Sequence, residues 1–456
     1  MEVRSKGLKA GEVQELRDKA KEHLWLSMRQ LEAPGGVPIF IGEEGSRVTD
    51  VDGKSYIDGF AGLMYKNVGY GRKEIADAAY AQMLEFTSPP GQGSTVPAIR
   101  LAEKLAQITP GSLGKSFLTT GGAEAIECAV KMVKQYQRNA GFPNRYKIIA
   151  RTGEYHGGSH LTMSLGKHSG TAWAPYEPLV PSIRHVPQPY CYRCPMGLEY
   201  PDCGVACAKE LDRVIEFEGK EMVAAFIMTG ICQSTPVMKP PAEYAPMVRS
   251  ICDKHGVLLI DDEVVSGFGR SGKMFAVEHW EMVPDIMTVA KGMISGYLPI
   301  GACITKTELS EKFQGEQQAF RHIITYGGMP ACCAAALVNI DILEREKLPE
   351  RAAAMGEYFS KKAEALYEHR IVGDIRGIGL MWGIELVKDK KTKEKLGRDD
   401  DRKVMEKLSE GGLLIAVNAG VIRFLPPLVI TESEIDESIA IMDKAIGEFE
   451  KELSAG

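Results

Sequence analysis

Between residues 70 and 330 the chain repeats short, wholly apolar runs inside polar surroundings. The runs lie in KSFLTT (115–120), YKIIAR (146–151), VAAFIM (223–228), GVLLID (256–261) and DIMTVA (285–290). Four to six apolar residues bounded by polar residues or glycine describe a strand buried on both faces. Stretches of helical periodicity separate them, such as 123–136, where Ile126, Ala129, Val130 and Val133 share one face. Strand alternating with helix predicts an α/β fold with a mainly parallel sheet flanked by helices. Beyond residue 335 the rhythm changes to helices at 331–346 and 350–369, short strands, a charged loop KDKKTKEKLGRDDDRK, and closing helices. That tail reads as a smaller α+β domain. At the other end, 11–31 reads as an amphipathic helix and SRVTDVDGKSYID as a hairpin turning at Asp52–Gly53.

One stretch invites a nucleotide reading. VLLIDDEVVSGFGRSGKM (257–274) contains glycines that fit G-x-G-x-x-G and, with Lys273, the body of a P-loop. Context argues against both. A dinucleotide turn joins a strand directly to a helix N-terminus. Here Asp261, Asp262 and Glu263 end the strand and three residues intervene before Gly267. A P-loop needs Ser or Thr after its lysine to hold magnesium, and Met274 stands there. Three acids beside a triphosphate would repel it.

A better anion site lies in TTGGAEAIECAVK (119–131), a strand end, a Gly-Gly turn and a helix start. Backbone N–H groups of Gly121, Gly122 and Ala123 would converge on one anion there, aided by the helix dipole. In DIMTVAKGMISGYLPIG an apolar strand delivers Lys291 to its C-terminal end. Burial there would depress its pKa and suit it to Schiff-base formation. A strand-end acid, a helix-start phosphate site and a strand-end lysine together imply pyridoxal 5'-phosphate.

Composition closes off other classes. The net charge of -6 comes from 55 basic and 61 acidic residues, well mixed along the chain. No basic stripe suggests nucleic acid. No apolar run approaches the ~18 residues of a membrane span, and the N-terminus is charged throughout, so a cytoplasmic protein is expected. Four of the ten cysteines cluster as Cys191, Cys194, Cys203 and Cys207. Their C-x2-C-x8-C-x3-C spacing suits a tetrahedral zinc site or a disulfide, or equally a loop of reduced thiols. In each case the loop reads as structural, and no catalytic metal is expected.

Taken together the motifs are specific. YIDGFAGLMYKNVGYGRKEIADAAYAQM, DEVVSGFGRSGKMFAVEHW followed by PDIMTVAKG, TYGGMPACCAAAL and IRFLPPLVIT follow one another in that order. The chain closely resembles class III pyridoxal-phosphate aminotransferases, and within them the ω-amino acid and amine transaminases. The resemblance covers nearly the whole length. It implies the fold type I architecture of pyridoxal-phosphate-dependent transferases, with a seven-stranded sheet in the large domain. It also implies three parts: 1–65 packing with the small domain, 66–330 binding the cofactor, and 331–456 forming the small domain.

Residue by residue, the resemblance makes Lys291 the Schiff-base lysine and Asp262, 29 positions earlier, the acid beneath the pyridine nitrogen. Alternation along the strand would turn Asp261 and Glu263 away from it. Val264 matches the residue on one ring face. Tyr155 matches the aromatic on the other, with His156 beside it towards the substrate. Gly122 and Ala123 match the phosphate turn. Thr325 matches a threonine that reaches the partner subunit's cofactor, implying a homodimer or a dimer of dimers. Arg423 matches the arginine for a substrate carboxylate, and Met64 and Tyr65 line the pocket.

Several positions depart from the pattern. Gly121 replaces a serine, Thr229 a glutamate that parks the arginine, Gly158 a distal-carboxylate arginine, and Met64 a tryptophan. The expected activity is transfer of an amino group from an ω-amino acid or primary amine to pyruvate or 2-oxoglutarate, with ping-pong kinetics. A racemase or epimerase on the same scaffold and a non-catalytic binding protein are the alternatives.

Overall fold

The computed structural model describes residue 8 and residues 10–26, 37–90, 93–166, 174–233 and 237–455. At its centre is a seven-stranded sheet. Its strands are β1 (Leu113–Thr119), β2 (Lys147–Arg151), β3 (Ile183–Val186), β4 (Val223–Met228), β5 (Leu258–Asp262), β6 (Ile286–Val289) and β7 (Gly301–Lys306). In space they run β1-β7-β6-β5-β4-β2-β3. Strands β2 to β6 are mutually parallel, and β7 alone runs antiparallel to its neighbours β1 and β6.

All five apolar runs became strands. The two the pattern missed are the edge strand IRHV of β3 and GACITK of β7. An edge strand tolerates Arg184 and His185, and Gly-Ala-Cys has weak strand character, so neither announces itself. Every residue of β4 and β6 is buried. The helix Gly122–Asn139 lays Ile126, Ala129, Val130 and Val133 onto Ile148, Ala150, Ile227 and Ile260 of the sheet. At about 25 cal/mol per Å² of apolar surface, this double-sided burial is the main driving force for the layer.

Two smaller sheets complete the fold. Val372–Ile378, Met381–Leu386, Ala416–Asn418 and Val421–Phe424 form an antiparallel one. Phe40–Glu44, Arg47–Asp50 and Ser55–Asp58 form the other, which Leu413–Leu414 joins in parallel. The turn between its second and third strands carries Gly53 at φ 84. The first helix spans Ala10–His23, shorter than its periodicity predicts, and residues 27–31 lie outside the described part.

The charged loop at 388–403 is only half a loop. Its RDDDRK portion starts the helix Arg398–Glu410, where Asp399, Asp400 and Asp401 favour the positive end of the helix dipole. The Gly397 N–H donates to Asp400 Oδ2 at 2.8 Å. Reading charge as loop failed because acids are favoured in a first helical turn.

The glycines after β5 touch no phosphate-shaped turn. Gly269 and Gly272 have φ of 90 and 92. A Cβ on Gly269 would meet Leu428 at 2.9 Å, and one on Gly272 would meet Ala353 at 3.1 Å. They bend the chain tightly so that it can lie against the helix Leu348–Ala363. Arg270 between them is fully buried. It donates to the Pro426 carbonyl and, at 2.9 Å, to Asn67 Oδ1, while burial pushes its pKa down to about 9.

Candidate active site

Register brings the strand ends together. Asp262 lies beside Thr288, Val289 beside Ala302, and Gly301 beside Thr119. The end of β5, the Lys291 turn after β6 and the Gly121–Gly122 turn after β1 therefore meet at one edge of the sheet. Parallel strands make such an edge the usual place for a ligand.

Asp262 is almost wholly buried, and its Oδ1 accepts the Val264 N–H at 3.0 Å. Its Oδ2 lies 2.7 Å from His156 Nδ1. This corrects the placement of His156 on the substrate side. The ring is buried against Asp262, because two carboxylates there outbid a solvent-facing position. Burial lowers the His156 pKa, but the hydrogen bond to Asp262 and the proximity of Glu154 outweigh it and raise it to about 9. The environment behind Asp262 thus favours the charged form of His156.

Glu154 and Arg151 were not identified from the sequence. Glu154 is fully buried, with Oε2 at 3.6 Å from His156 Nε2. Arg151 Nη2 donates to Glu154 Oε1 and to the Thr229 carbonyl. Thr229 Oγ1 donates to Glu154 Oε1 at 2.6 Å, and its N–H to Oε2 at 3.3 Å. Burial would raise the Glu154 pKa, yet Arg151 and His156 bring it down to about 2. The only advance signal was the oddity of Thr229, and nothing in the sequence tied it to residue 154.

Asp261 and Glu263 are fully buried and interact with each other. Burial raises Glu263 to about 7 despite hydrogen bonds from Ser266 Oγ at 2.5 Å and Val277 N–H at 2.9 Å. Burial and the charge of Glu263 push Asp261 well up. Neither carboxyl is available to the cleft.

Lys291 opens a single turn after β6 with φ 42, a left-handed conformation that costs a non-glycine residue about 1–3 kcal/mol. The residue is half-buried. Burial depresses its pKa to about 8 against the pull of Asp262, and Arg423 and Arg270 act in the same direction as burial. At neutral pH about a tenth of this amine would be an unprotonated nucleophile, far more than for an ordinary lysine.

Across from it the helix Gly122–Asn139 begins. The first N–H groups of a helix have no intrahelical acceptor, so Gly122 and Ala123 present donors. Thr120 is occupied locally, its N–H donating to Glu124 Oε2 at 3.0 Å. A Cβ at Gly122 would lie 2.8 Å from Val264 Cγ1, so the turn and Val264 form one tight wall.

Tyr155 is 43% exposed at the mouth, and a Cβ on Gly158 would have only the Tyr155 hydroxyl near it, at 4.0 Å. The space an arginine would fill there is open. Arg423 sits on Val421–Phe424 with its guanidinium 4.8 Å from the Phe60 ring centre, and burial lowers its pKa to about 10. Met64, at φ 63, packs against the buried cluster that contains Phe60, as Val264 and Trp280 also do. The Tyr65 ring lies between Gly62 and Gly296, whose absent Cβ atoms would come within 2.5 and 2.4 Å of it. Thr325 is exposed in the turn before the helix Pro330–Arg345.

The four clustered cysteines line one cavity and are free thiols. Burial raises Cys191 and pushes Cys207 up to about 11. Their loop is anchored elsewhere: Tyr190 and Arg193 donate to buried Glu385, as Arg376 does at 2.8 Å.

The residues at the sheet edge fit pyridoxal phosphate. A helix start suits its phosphate, a buried carboxylate its pyridine nitrogen, and a depressed lysine its aldehyde. Residues 34–446 match the family described as Aminotransferase class-III. An uncharacterized aminotransferase of Bacillus subtilis (strain 168) is 40% identical over 92% of this chain and 94% of its own length. The taurine–pyruvate aminotransferase of Bilophila wadsworthia is 37% identical over 91% and 93%. The crystal structure of an (S)-enantioselective omega-transaminase from Thermomicrobium roseum superposes with a TM-score of 0.92 at 36% identity, covering 97% of this chain and all of that one. No described helix is long and apolar enough to cross a membrane.

Proposed function

The chain belongs to the class III aminotransferases, which depend on pyridoxal phosphate, and from that premise we propose that it moves an amino group from an ω-amino acid or primary amine to pyruvate or 2-oxoglutarate. The observation that carries this is the convergence of Asp262, Lys291 and the Gly122 helix start at one sheet edge. Taurine, an ω-amino sulfonate, is the donor named for one relative, and an omega-transaminase shares the fold.

When bound, pyridoxal phosphate supplies the electron sink that lets a carbon beside the amino group lose its proton. The chain's own residues do the rest. N–H groups of Gly121, Gly122 and Ala123 anchor the phosphate. Val264 and Tyr155 would hold the ring of the cofactor. The Asp262 carboxylate would hold a proton on the pyridine nitrogen. Lys291 would hold the aldehyde end of the cofactor and, as a free amine, would move the proton at the reacting carbon. Donor and acceptor occupy one pocket in turn, so the kinetics are ping-pong.

Initial rates over a panel of ω-amino acids and primary amines, with pyruvate or 2-oxoglutarate as acceptor, test the reading. Alanine or glutamate should form, with parallel double-reciprocal lines. Loss of chirality in an amino acid without a keto product would overturn it.

Arg423 is proposed to receive the carboxylate of the 2-oxo acid. A charge-assisted hydrogen bond contributes about 1.5–3 kcal/mol. Arg423→Ala should therefore raise KM for the 2-oxo acid about ten- to hundredfold and leave the half-reaction with an uncharged amine nearly intact. Equal losses in both half-reactions, measured by single-turnover spectroscopy, would count against that role.

Thr325 is proposed to contact the partner subunit's cofactor in a homodimer. Support comes from its exposure and from its neighbours Ile323 and Tyr326, which are 88% and 66% exposed. Leu84, Val96 and Ile99 add exposed apolar side chains on the helices Lys73–Glu85 and Val96–Ile108.

A further inference from the structure

The mechanism above needs Asp262 as an anion but says nothing of what lies behind it. Behind it is a file of four buried side chains with alternating charge: Asp262, His156, Glu154 and Arg151. All four are at least nine-tenths buried. We infer that Glu154 is a positioning residue for amino-group transfer: from the far side of the His156 ring it fixes His156 as an imidazolium that donates to Asp262, and so sets the charge beneath the pyridine nitrogen. The inference rests on the pyridoxal-phosphate reading of the site.

The geometry gives the reasons. His156 Nδ1 is engaged at 2.7 Å by Asp262 Oδ2. Its Nε2 has no hydrogen-bond partner and faces Glu154 Oε2 at 3.6 Å, an ion pair rather than a hydrogen bond. A buried Nε2–H with no acceptor in range keeps its proton only if a negative charge stands opposite. Glu154 is that charge. It is itself held by Arg151 and by both donors of Thr229, so it cannot swing away.

The other groups facing this file are few. Lys291 faces Asp262 from the turn after β6, and buried Asp261 faces both Asp262 and Arg151. The Tyr244 ring lies 5.5 Å from the Arg151 guanidinium, and Cys232 is close to it. None of them can replace Glu154 beside Nε2. Without the Glu154 charge, His156 would have a guanidinium behind it and would lose its second proton near neutral pH, leaving Asp262 with a neutral donor. Thr229 is part of the same arrangement: in this chain position 229 fastens a carboxylate instead of supplying one.

The test uses holoenzyme labelled with 15N-histidine. The chain has nine histidines, and His156→Gln identifies the signals of interest. In the parent, both His156 ring nitrogens should carry protons up to about pH 8.5, consistent with titration at about 9. In Glu154→Gln one of them should be bare by pH 8. The alkaline limb of kcat/KM for the donor half-reaction should move down by about one pH unit or more, a loss of about threefold at pH 8.5 that grows towards about tenfold by pH 10.

Glu154→Gln leaves Arg151 buried without its carboxylate and can fail to fold. The double variant Arg151→Met/Glu154→Gln removes both charges and should show the same two changes. A folded, cofactor-loaded variant whose His156 stays doubly protonated at pH 8, or whose alkaline limb does not move, overturns the inference. If the parent transfers no amino group, the functional reading fails instead, and the nitrogen signals still decide the role of Glu154.

Discussion

Lys291→Ala is expected to lower amino-group transfer about ten-thousand-fold, the upper range for a positioned proton-transfer group. The visible absorption of the lysine-linked cofactor should vanish from the same protein. The size of the effect follows from position. One amine serves as the covalent anchor and as the base at the reacting carbon, and no second lysine stands at the sheet edge among the described residues. Lys66 is buried, but its ammonium lies over the rings of Tyr70 and Tyr297, at 4.7 and 4.3 Å. The left-handed turn that Lys291 adopts disfavours most replacements, so thermal unfolding of the variant is measured alongside.

The depressed pKa gives this prediction a second arm. In cofactor-free protein, labelling of Lys291 by an amine-reactive reagent should rise about tenfold per pH unit below about 8 and then level off. Surface lysines continue to gain reactivity towards pH 10. Peptide mapping of the labelled protein separates the two. Measurable turnover by Lys291→Ala within a hundredfold of the parent would remove the lysine from the mechanism.

Asp262→Asn should cost about a hundred- to thousand-fold in kcat, the range for losing one preorganised electrostatic group. Asparagine keeps the shape of the side chain and removes the charge. The pyridine nitrogen then no longer retains its proton, while Lys291 still links the cofactor. Absorption should therefore persist, and the donor half-reaction, followed in a single turnover, should slow. His156 should also respond, because its hydrogen bond to Asp262 is the largest influence raising its pKa. A variant that turns over within tenfold of the parent would show that another group serves the nitrogen.

Much of this protein could be read from one dimension. A strand buried on both faces must be apolar throughout, so five of the seven central strands stood out, and the helices between them made the sheet parallel. Chemistry that depends on a strand end was equally legible. Lys291, Asp262 and the Gly121–Gly122 turn each follow directly from an apolar run. The G-x-G-x-x-G match could be set aside on local context, and the structure shows Gly269 and Gly272 bending the chain against Ala353 and Leu428.

What escaped depends on contacts between distant segments. β3 and β7 are strands because neighbours pair with them rather than because of their composition. The helix at Arg398 was hidden because charge says nothing of loop or helix unless the capping contact is seen. His156 was placed towards the substrate because adjacency to Tyr155 is all that order in a sequence conveys. Which way a side chain turns is decided by what waits for it in the fold. For His156 these were Asp262, 106 positions along the chain, and Glu154, itself fastened by Thr229, 75 positions away. Sequence alone determined the sheet, the lysine and the acid, because burial and strand-end placement are local properties of a pattern. Only the tertiary structure decided the charge standing behind that acid, because ion pairing in a buried site is a property of distance through space.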